Sequence, residues 1–327
     1  MEEKVLVVEE NIRIDKYLAS ILSDYSRANI SSWIKDGLVT IDGRVVKASE
    51  KTVRDSLITI DIPKPESSIL LAENIPLDIL YEDEDILVLN KPQGMVVHPG
   101  AGNPNGTLVN ALLHHTGGNL SSIDQGTRPG ILHRLDKDTS GLLLVAKNNI
   151  SHRRLAEDLK ERKITRIYEC IVYGFFKEKQ GIIEAPIGRD SKDRIKMAVH
   201  AEGKYAKTYF RVLESLKHGT YLRVKLDTGR THQIRVHMHF IGHPVMGDRL
   251  YASKRKHFGL EGQCLHAREL HFMHPRTGEQ MKFQTPLPSW FTSTLQTLGY
   301  QEENLVQWSE AWPQEEIDEE ENFKMET

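Results

Sequence analysis

His133-Arg134-Leu135-Asp136-Lys137-Asp138-Thr139-Ser140-Gly141-Leu142-Leu143-Leu144-Val145-Ala146-Lys147 changes character abruptly, from a charged, turn-forming run to a continuous apolar one. The apolar half predicts a buried strand. Asp136 and its neighbours therefore belong to a loop held by rigid sheet, a common place for reactive groups. Taken alone, two aspartates beside cations read equally well as turn formers or surface ion pairs. Outward from this stretch, residues 79–81 and 86–90 read as strands joined by the charged turn Glu82-Asp83-Glu84-Asp85, 108–113 as a helix and 151–162 as an amphipathic helix. Strands then dominate, at 167–172, 206–213, 221–226 and 281–284. Without regular β-α-β alternation, this order predicts an α+β domain on a mixed, largely antiparallel sheet.

A second polar stretch, Leu226-Asp227-Thr228-Gly229-Arg230-Thr231-His232-Gln233-Ile234-Arg235-Val236-His237, has helix signals around it. Thr231 as N-cap, Gly242 as stop and Pro244 just beyond predict a short helix over residues 232–241. His232, Arg235 and His239 then share a face. From there the Arg235 guanidinium could reach a carboxylate of another segment, holding it ionised and aimed. His232, His237, His239 and His243 invite a zinc reading, but no H-E-x-x-H or cysteine pair assists them, so no metal is expected. Gly100-Ala101-Gly102-Asn103-Pro104-Asn105-Gly106 imitates a dinucleotide fingerprint with its last glycine one residue late and no β-α-β unit around it, and reads as a structural turn.

At 327 residues the chain predicts two domains. Composition is that of an ordinary globular protein, 39% hydrophobic and 27% charged. Two cysteines, Cys170 and Cys264, cannot build a disulfide framework or a four-thiolate site. No basic-then-apolar leader and no apolar run of about 18 residues occurs, so a cytoplasmic protein with no membrane span is expected. The net charge of −3 averages unequal parts: the acidic tail 301–327 carries ten acids and one lysine, and removing its −9 leaves residues 1–300 at +6. Such a body suits a polyanionic partner, and the tail is expected to be mobile.

In front of the larger domain, Ile14, Tyr17, Leu18, Ile21 and Leu22 make one helical stripe, and a second helix runs from Ser26 to Lys35. Leu38-Val39-Thr40-Ile41, Asp42-Gly43 and Arg44-Val45-Val46 then signal a hairpin, followed by a short strand at 57–60. This order resembles the S4 RNA-binding domain, in which the second helix and the hairpin entry face RNA. Arg13, Lys16, Arg27, Lys35, Arg44 and Lys47 are the cations it would present to phosphates. The expected organisation is an S4-type α/β domain over 1–62, a proline-rich linker over 63–74, a catalytic domain over 75–300, and the tail.

The resemblance extends to the larger domain. The two polar stretches, with Asn90-Lys91-Pro92, His98-Pro99-Gly100-Ala101-Gly102, Arg166-Ile167-Tyr168-Glu169 and Leu265-His266-Ala267 followed by His274-Pro275, are together similar to the RluA/RluD family of large-subunit ribosomal RNA pseudouridine synthases. The match runs in order from Pro76 to about Pro288, and the S4 module in front points to the RluD branch. By this resemblance Asp136 is the catalytic aspartate, Tyr168 the base-stacking tyrosine and Arg235 the arginine of the third motif. Arg134 would reach into the RNA as the target nucleotide leaves, and Leu265 would line the uracil site. The implied reaction breaks a C–N glycosidic bond, turns the uracil and rejoins it through carbon 5. It has no net redox change and loses no atoms, so no cofactor is expected. The implied partner is large-subunit ribosomal RNA or a pre-ribosomal particle, the implied target the helix 69 stem-loop, and the enzyme a monomer. The rival reading is a non-catalytic RNA-binding assembly factor. A glycoside hydrolase pairing Asp136 with Asp138 leaves the S4 module and the Arg235 helix without a role.

Overall fold

The computed structural model describes residues 2–22, 27–62, 70–100, 102–123, 128–193, 195–300 and 322–324. Ser26, the Arg27 side chain, residues 63–69 and most of the acidic tail lie outside the described residues. The chain forms two compact units, Met1–Ile69 and Leu70–Thr327.

The first unit runs β1 (Glu2–Val7), α1 (Ile14–Ile21), α2 (Arg27–Lys35), β2 (Val39–Ile41), β3 (Arg44–Val45) and β4 (Leu57–Ile62). Its antiparallel sheet has the order β1-β4-β2-β3. Asp42 and Gly43 both take left-handed backbone angles, φ 49° and 75°. That pair of angles is what the two-residue turn demands and why Asp-Gly marks it. Ile14, Tyr17, Leu18 and Leu22 bury their side chains against Ile58, Ile60 and Ile62 of β4 and Trp33 and Ile34 of α2, whereas Ile21 is turned to solvent. Strand β1 was absent from the sequence reading. Its start is charged, and Val5 and Val7 are exposed on the edge of the sheet, so no buried alternation announces it.

The second unit opens with β5 (Asp78–Glu82), β6 (Ile86–Lys91), α3 (Leu108–His115), β7 (Ser140–Ala146), α4 (Asn149–Lys160) and β8 (Thr165–Tyr173). It continues with β9 (Gln180–Glu184), β10 (Ile187–Arg189), β11 (Met197–Val199), β12 (Lys207–Leu216), β13 (Gly219–Leu226) and α5 (Gln233–Phe240). Strands β14 (Leu265–Met273) and β15 (Gln280–Gln284), α6 (Ser289–Thr297) and β16 (Asn322–Lys324) complete it. Ten strands make one sheet in the order β16-β9-β12-β13-β8-β14-β7-β6-β5, with β15 beside β14. All its pairs are antiparallel except β14 with β7 and β16 with β9, so the architecture is α+β on a mixed sheet. The parallel contact is unusually close. Gly141 has φ +113°, and a Cβ there would stand 2.3 Å from the Ala267 carbonyl oxygen. Only glycine lets β7 begin against β14, and that start fixes where the preceding loop ends.

Two expectations need correction. Residues 70–74, expected in the linker, are fastened to the second unit: the Asn110 amide donates to the Leu71 carbonyl at 2.7 Å, and Glu73 N donates to Asn110 O at 2.9 Å. Composition cannot see such long-range bonds. In the acidic tail, Asn322–Lys324 runs parallel to β9, where a structureless segment was expected. Among the described residues no helix is long and apolar enough to cross a membrane.

Candidate active site

Asp136 sits in the loop that feeds β7, and the loop is braced from several sides. Thr139 N donates to the Asp136 carbonyl at 3.1 Å, closing a turn. Gly94 N donates to the Lys137 carbonyl at 2.9 Å, Gln93 Nε2 to the Asp138 carbonyl at 3.1 Å, and Gln263 Nε2 to Thr139 Oγ1 at 3.0 Å. Lys91 is wholly buried, and its Nζ donates to the carbonyls of Pro92, Met95 and Lys137 at 2.8, 2.9 and 3.1 Å. Burial pushes the Lys91 pKa down to about 7, while the charges of Asp136 and Asp138 work in the opposite direction. A loop pinned through its carbonyls holds the Asp136 carboxylate in one place without spending that carboxylate on structure.

The expected pairing with Arg235 is present. Arg235 Nη1 donates to Asp136 Oδ2 at 2.8 Å. Its other edge grips a second carboxylate, with Nε to Asp248 Oδ2 at 2.7 Å and Nη2 to Asp248 Oδ1 at 3.0 Å. Asp248 is fully buried and also accepts from Leu250 N and Tyr251 N, at 2.9 and 3.0 Å. Burial would raise the Asp248 pKa, but the hydrogen bonds and charge of Arg235, with those backbone donors, hold it below the usual value. For Arg235, burial opposes the charge, and the two carboxylates outweigh it and raise its pKa. The Tyr251 ring lies under the guanidinium at 5.1 Å. Sequence reading singled out neither Asp248 nor Tyr251. The only local signal is an acid after glycine in the otherwise apolar Val245-Met246-Gly247-Asp248, which reads as an ordinary turn.

The helix carrying Arg235 begins one residue later than expected. His232, not Thr231, is the N-cap, with left-handed φ 57° and no side-chain capping bond. Gln233 braces the approach to the helix rather than its first turn, its Oε1 accepting from Arg230 N at 2.9 Å and from Thr228 Oγ1 at 2.7 Å. The left-handed turn brings His232 Nδ1 to 3.0 Å from the Tyr251 hydroxyl and Nε2 to 3.9 Å from Asp136 Oδ1. Burial lowers the His232 pKa, with Asp136 opposing. His239 packs on the same Tyr251 ring, so the expected shared face holds.

Tyr168 is nearly buried in the middle of β8, and burial pushes its pKa up to about 12, against the charge of Arg166. Asp136, Arg235, Tyr168, Arg134 and Leu265 all border one recess of about 50 Å³. The recess shares Arg134, Asp136, Tyr168, Leu226 and Arg230 with a wider pocket of about 610 Å³. That pocket carries six cations, Arg128, Arg134, Lys160, Arg162, Arg166 and Arg230, against two carboxylates, Asp136 and Asp227. A chain of net negative charge thus has a strongly positive cleft. Arg134 is exposed, and His98 on the pocket wall is pushed down to about 4 by burial and by Arg128 and Arg134. In the first unit Arg13, Lys16, Lys35, Arg44 and Lys47 are all exposed, with Arg13 bonded to Asp15 and Arg44 to Glu50.

Of the histidines that invited a zinc reading, His232 and His239 pack on Tyr251, while His237 and His243 are held elsewhere. His237 Nε2 donates to the Ala185 carbonyl at 3.0 Å and Nδ1 accepts from the Thr208 hydroxyl at 2.9 Å, while His243 Nδ1 donates to the Tyr173 carbonyl at 2.9 Å. Among the described residues, Asp83, Asp85 and His274 have ligand atoms close enough to share an ion. Those atoms are already engaged: Asp83 accepts from the backbone of Asp85 and Ile86 and from His274 Nε2, and Asp85 from Arg276. His237 gives a pH prediction. Burial lowers its pKa from 6.5 to about 4, so the neutral form is favoured in the folded state. The stabilisation it provides is full above the unfolded value and is lost as pH falls toward the folded one. His237→Gln should weaken the loss of stability between pH 7 and 4.5 by about 2 kcal/mol, read from urea midpoints. Parallel stability curves for the two proteins would contradict it.

Comparison with known proteins identifies the family of the chain. Residues 85–240 match the model of the family described as RNA pseudouridylate synthase, and residues 12–56 match the S4 domain. The chain is 49% identical over 290 residues to an uncharacterized RNA pseudouridine synthase of Bacillus subtilis, YlyB, covering 89% of this chain and 95% of that one. It is 46% identical over 289 residues to the ribosomal large subunit pseudouridine synthase D of Yersinia pestis, covering 84% and 87%. Among solved structures, human RNA Pseudouridylate Synthase Domain Containing 1 superposes with a TM-score of 0.54 at 30% identity, over 66% of this chain and 86% of that one. An aspartate held by a buried arginine in a basic cleft, on this fold and with these relatives, makes the chain a member of the RNA pseudouridine synthase family, preceded by an S4 domain.

Proposed function

We propose that this enzyme converts uridines of large-subunit ribosomal RNA to pseudouridine, with the helix 69 stem-loop as target and Asp136 as nucleophile. The observation that carries the reading is the 2.8 Å bond from Arg235 to Asp136 at the edge of a cationic pocket. RNA phosphates and exclusion of water both raise a carboxylate's pKa, and Arg235 counters them by favouring the anion. The ionised Asp136 attacks ribose carbon 1′ and displaces the uracil, or adds to uracil carbon 6 before the glycosidic bond breaks, and so tethers one fragment while the other turns. As carbon 5 joins carbon 1′ the bond to Asp136 breaks, the carbon-5 proton leaves to solvent and the freed ring nitrogen takes up a proton. Tyr168 offers its ring face to the uracil, and Leu265 closes the apolar side of the recess. A uridine stacked in RNA hides its reactive atoms, so the nucleotide is flipped out at a cost of a few kcal/mol. Arg134, exposed at the mouth, enters the vacated space and offsets part of that cost. The isomerisation balances without oxidant, reductant or added atoms, so these side chains suffice, and a monomer in the cytoplasm carries them all.

Mapping carbodiimide adducts by reverse-transcription stops, in ribosomal RNA from a strain lacking the gene, tests the reading. Loss of the helix 69 stops is expected. A complete set of pseudouridines would favour the non-catalytic assembly role instead.

The S4 unit is proposed to aid capture, since every motif assigned to chemistry lies beyond Asn90 while Lys16, Lys35 and Lys47 stand exposed. A chain starting at Ser68 should bind ribosomal RNA about tenfold or more weakly at moderate salt and still modify it at high concentration. Binding as tight as that of the full chain across a salt titration would remove the S4 unit from capture.

A further inference from the structure

Arg166 precedes Tyr168 by two residues on β8, so the two side chains leave the same face of the sheet, and both line the 610 Å³ pocket. Arg166 and Arg235 are equally buried, each 7% exposed. Their surroundings differ sharply. Arg235 is held by two carboxylates, Asp136 and Asp248. Among the described residues no group accepts a hydrogen bond from the Arg166 guanidinium, and its Nε is buried without a partner. Asp227, whose charge Arg166 feels, pairs instead with Arg162 at 2.8 Å, an ion pair by distance in which Asp227 Oδ2 makes no hydrogen bond, and it accepts none from Arg166. Gly229 passes so close that a Cβ on it would stand 2.7 Å from Arg166 Nη1, so the backbone leaves room for the guanidinium and offers it no acid.

A buried cation without a counter-ion is costly, and folded chains normally pair it. Where one is left unpaired on the wall of a cleft, the missing anion is a property of the ligand. The planar fork of an arginine matches two oxygens of a phosphate, and a full negative charge offsets desolvation better than a neutral carbonyl does. We propose that Arg166 is the receptor for one phosphodiester group flanking the flipped uridine, fixing the ribose so that the base reaches Asp136 and Tyr168. This rests on the reading of the pocket as the site of an RNA uridine isomerase.

The test pairs side-chain and backbone changes, using the full-length enzyme and a synthetic helix 69 stem-loop with a methylphosphonate replacing the linkage on the 5′ or the 3′ side of the target. For wild type, one of the two replacements should lower single-turnover kcat/KM by about 10- to 100-fold, the range of a hydrogen bond to a charged group. Arg166→Met should lose a similar factor on unmodified RNA and lose less than about twofold more on that same replacement, because the contact is already gone. It should melt no lower than wild type, since among the described residues no hydrogen bond is lost with the guanidinium and the desolvation cost of its charge outweighs the pull of Asp227. Arg166→Lys, which keeps charge and loses the fork, should fall between the two. Losses that multiply independently for both linkages, or a lowered Tm with undiminished methylphosphonate sensitivity, would overturn the assignment while leaving the enzyme reading intact. A wild-type enzyme inert on this and on total ribosomal RNA would overturn the reading and the assignment together.

Discussion

Asp136→Asn is expected to abolish pseudouridine formation, by about 10⁴-fold or more, while leaving RNA affinity within a few-fold of wild type. The amide keeps the shape of the carboxylate but is neither anionic nor nucleophilic. Its surroundings have little reason to move. The bond from Thr139 N goes to the Asp136 carbonyl, not its side chain, and Lys91 holds the loop through the Lys137 carbonyl. Arg235 remains gripped on its other edge by Asp248, so no buried arginine is left unpaired. Removing the Asp136 charge frees one guanidinium nitrogen at the border of the recess, where water or substrate can accept from it. A stability change under about 1 kcal/mol is therefore expected. Single-turnover release of the uracil carbon-5 hydrogen from labelled RNA measures the chemistry, and filter binding measures affinity. Conversion above about 1% of the wild-type rate would remove Asp136 as the nucleophile, and a hundredfold loss of affinity would make it a binding group.

The elements that announce themselves along the chain are those in which pattern and chemistry agree locally. The apolar run 142–146 becomes β7, buried throughout, and the Asp-Gly of the hairpin adopts the turn it suits. The Asp136–Arg235 pair was legible because each residue sits in a distinctive polar stretch. Asp248 was not, although it makes two of the three Arg235 bonds, because its importance arises only when residues 235 and 248 are folded together. The one-residue error at α5 has a similar origin. Thr231 has the better capping side chain, but Gln233 reaches back to Thr228 and Arg230 and stabilises a left-handed His232. Strand β14 also escaped the reading, since its charged residues pair across strands: Arg268 stands 3.5 Å from Glu169, and Glu269 accepts from Arg223 at 2.7 Å. The same holds for Arg166, whose sequence neighbours do not betray that it is buried without a hydrogen-bond acceptor among the described residues.

Arg235→Lys carries the second large expectation, because it separates charge from geometry. One guanidinium serves two acids here, with Nε and Nη2 on Asp248 and Nη1 on Asp136. A lysine ammonium is a point charge on a flexible stem and cannot span both edges at those distances. It should settle on Asp248, because that carboxylate is fully buried and has the most to lose if left unpaired. Asp136 then keeps its charge but loses the donor that aims it, and single-turnover rates should fall about 100-fold or more, with RNA affinity less affected. Stability should drop by about 2–3 kcal/mol, since two bonds to Asp248 become one. Arg235→Met is the sharper probe of the same linkage. Without the guanidinium, nothing but backbone N–H groups holds the Asp248 pKa down, and burial pushes it up. In wild type the depressed pKa gives stability that is complete above the unfolded carboxylate value of 3.8 and fades below it. In Arg235→Met the folded pKa rises past the unfolded one, the sign reverses, and stability should improve as pH falls from neutrality toward that raised value. Chemical denaturation of the three proteins between pH 4.5 and 7.5 distinguishes these cases. A wild-type rate for Arg235→Lys would detach the ion pair from catalysis, and identical pH slopes for wild type and Arg235→Met would mean that Asp248 does not depend on Arg235 for its charge.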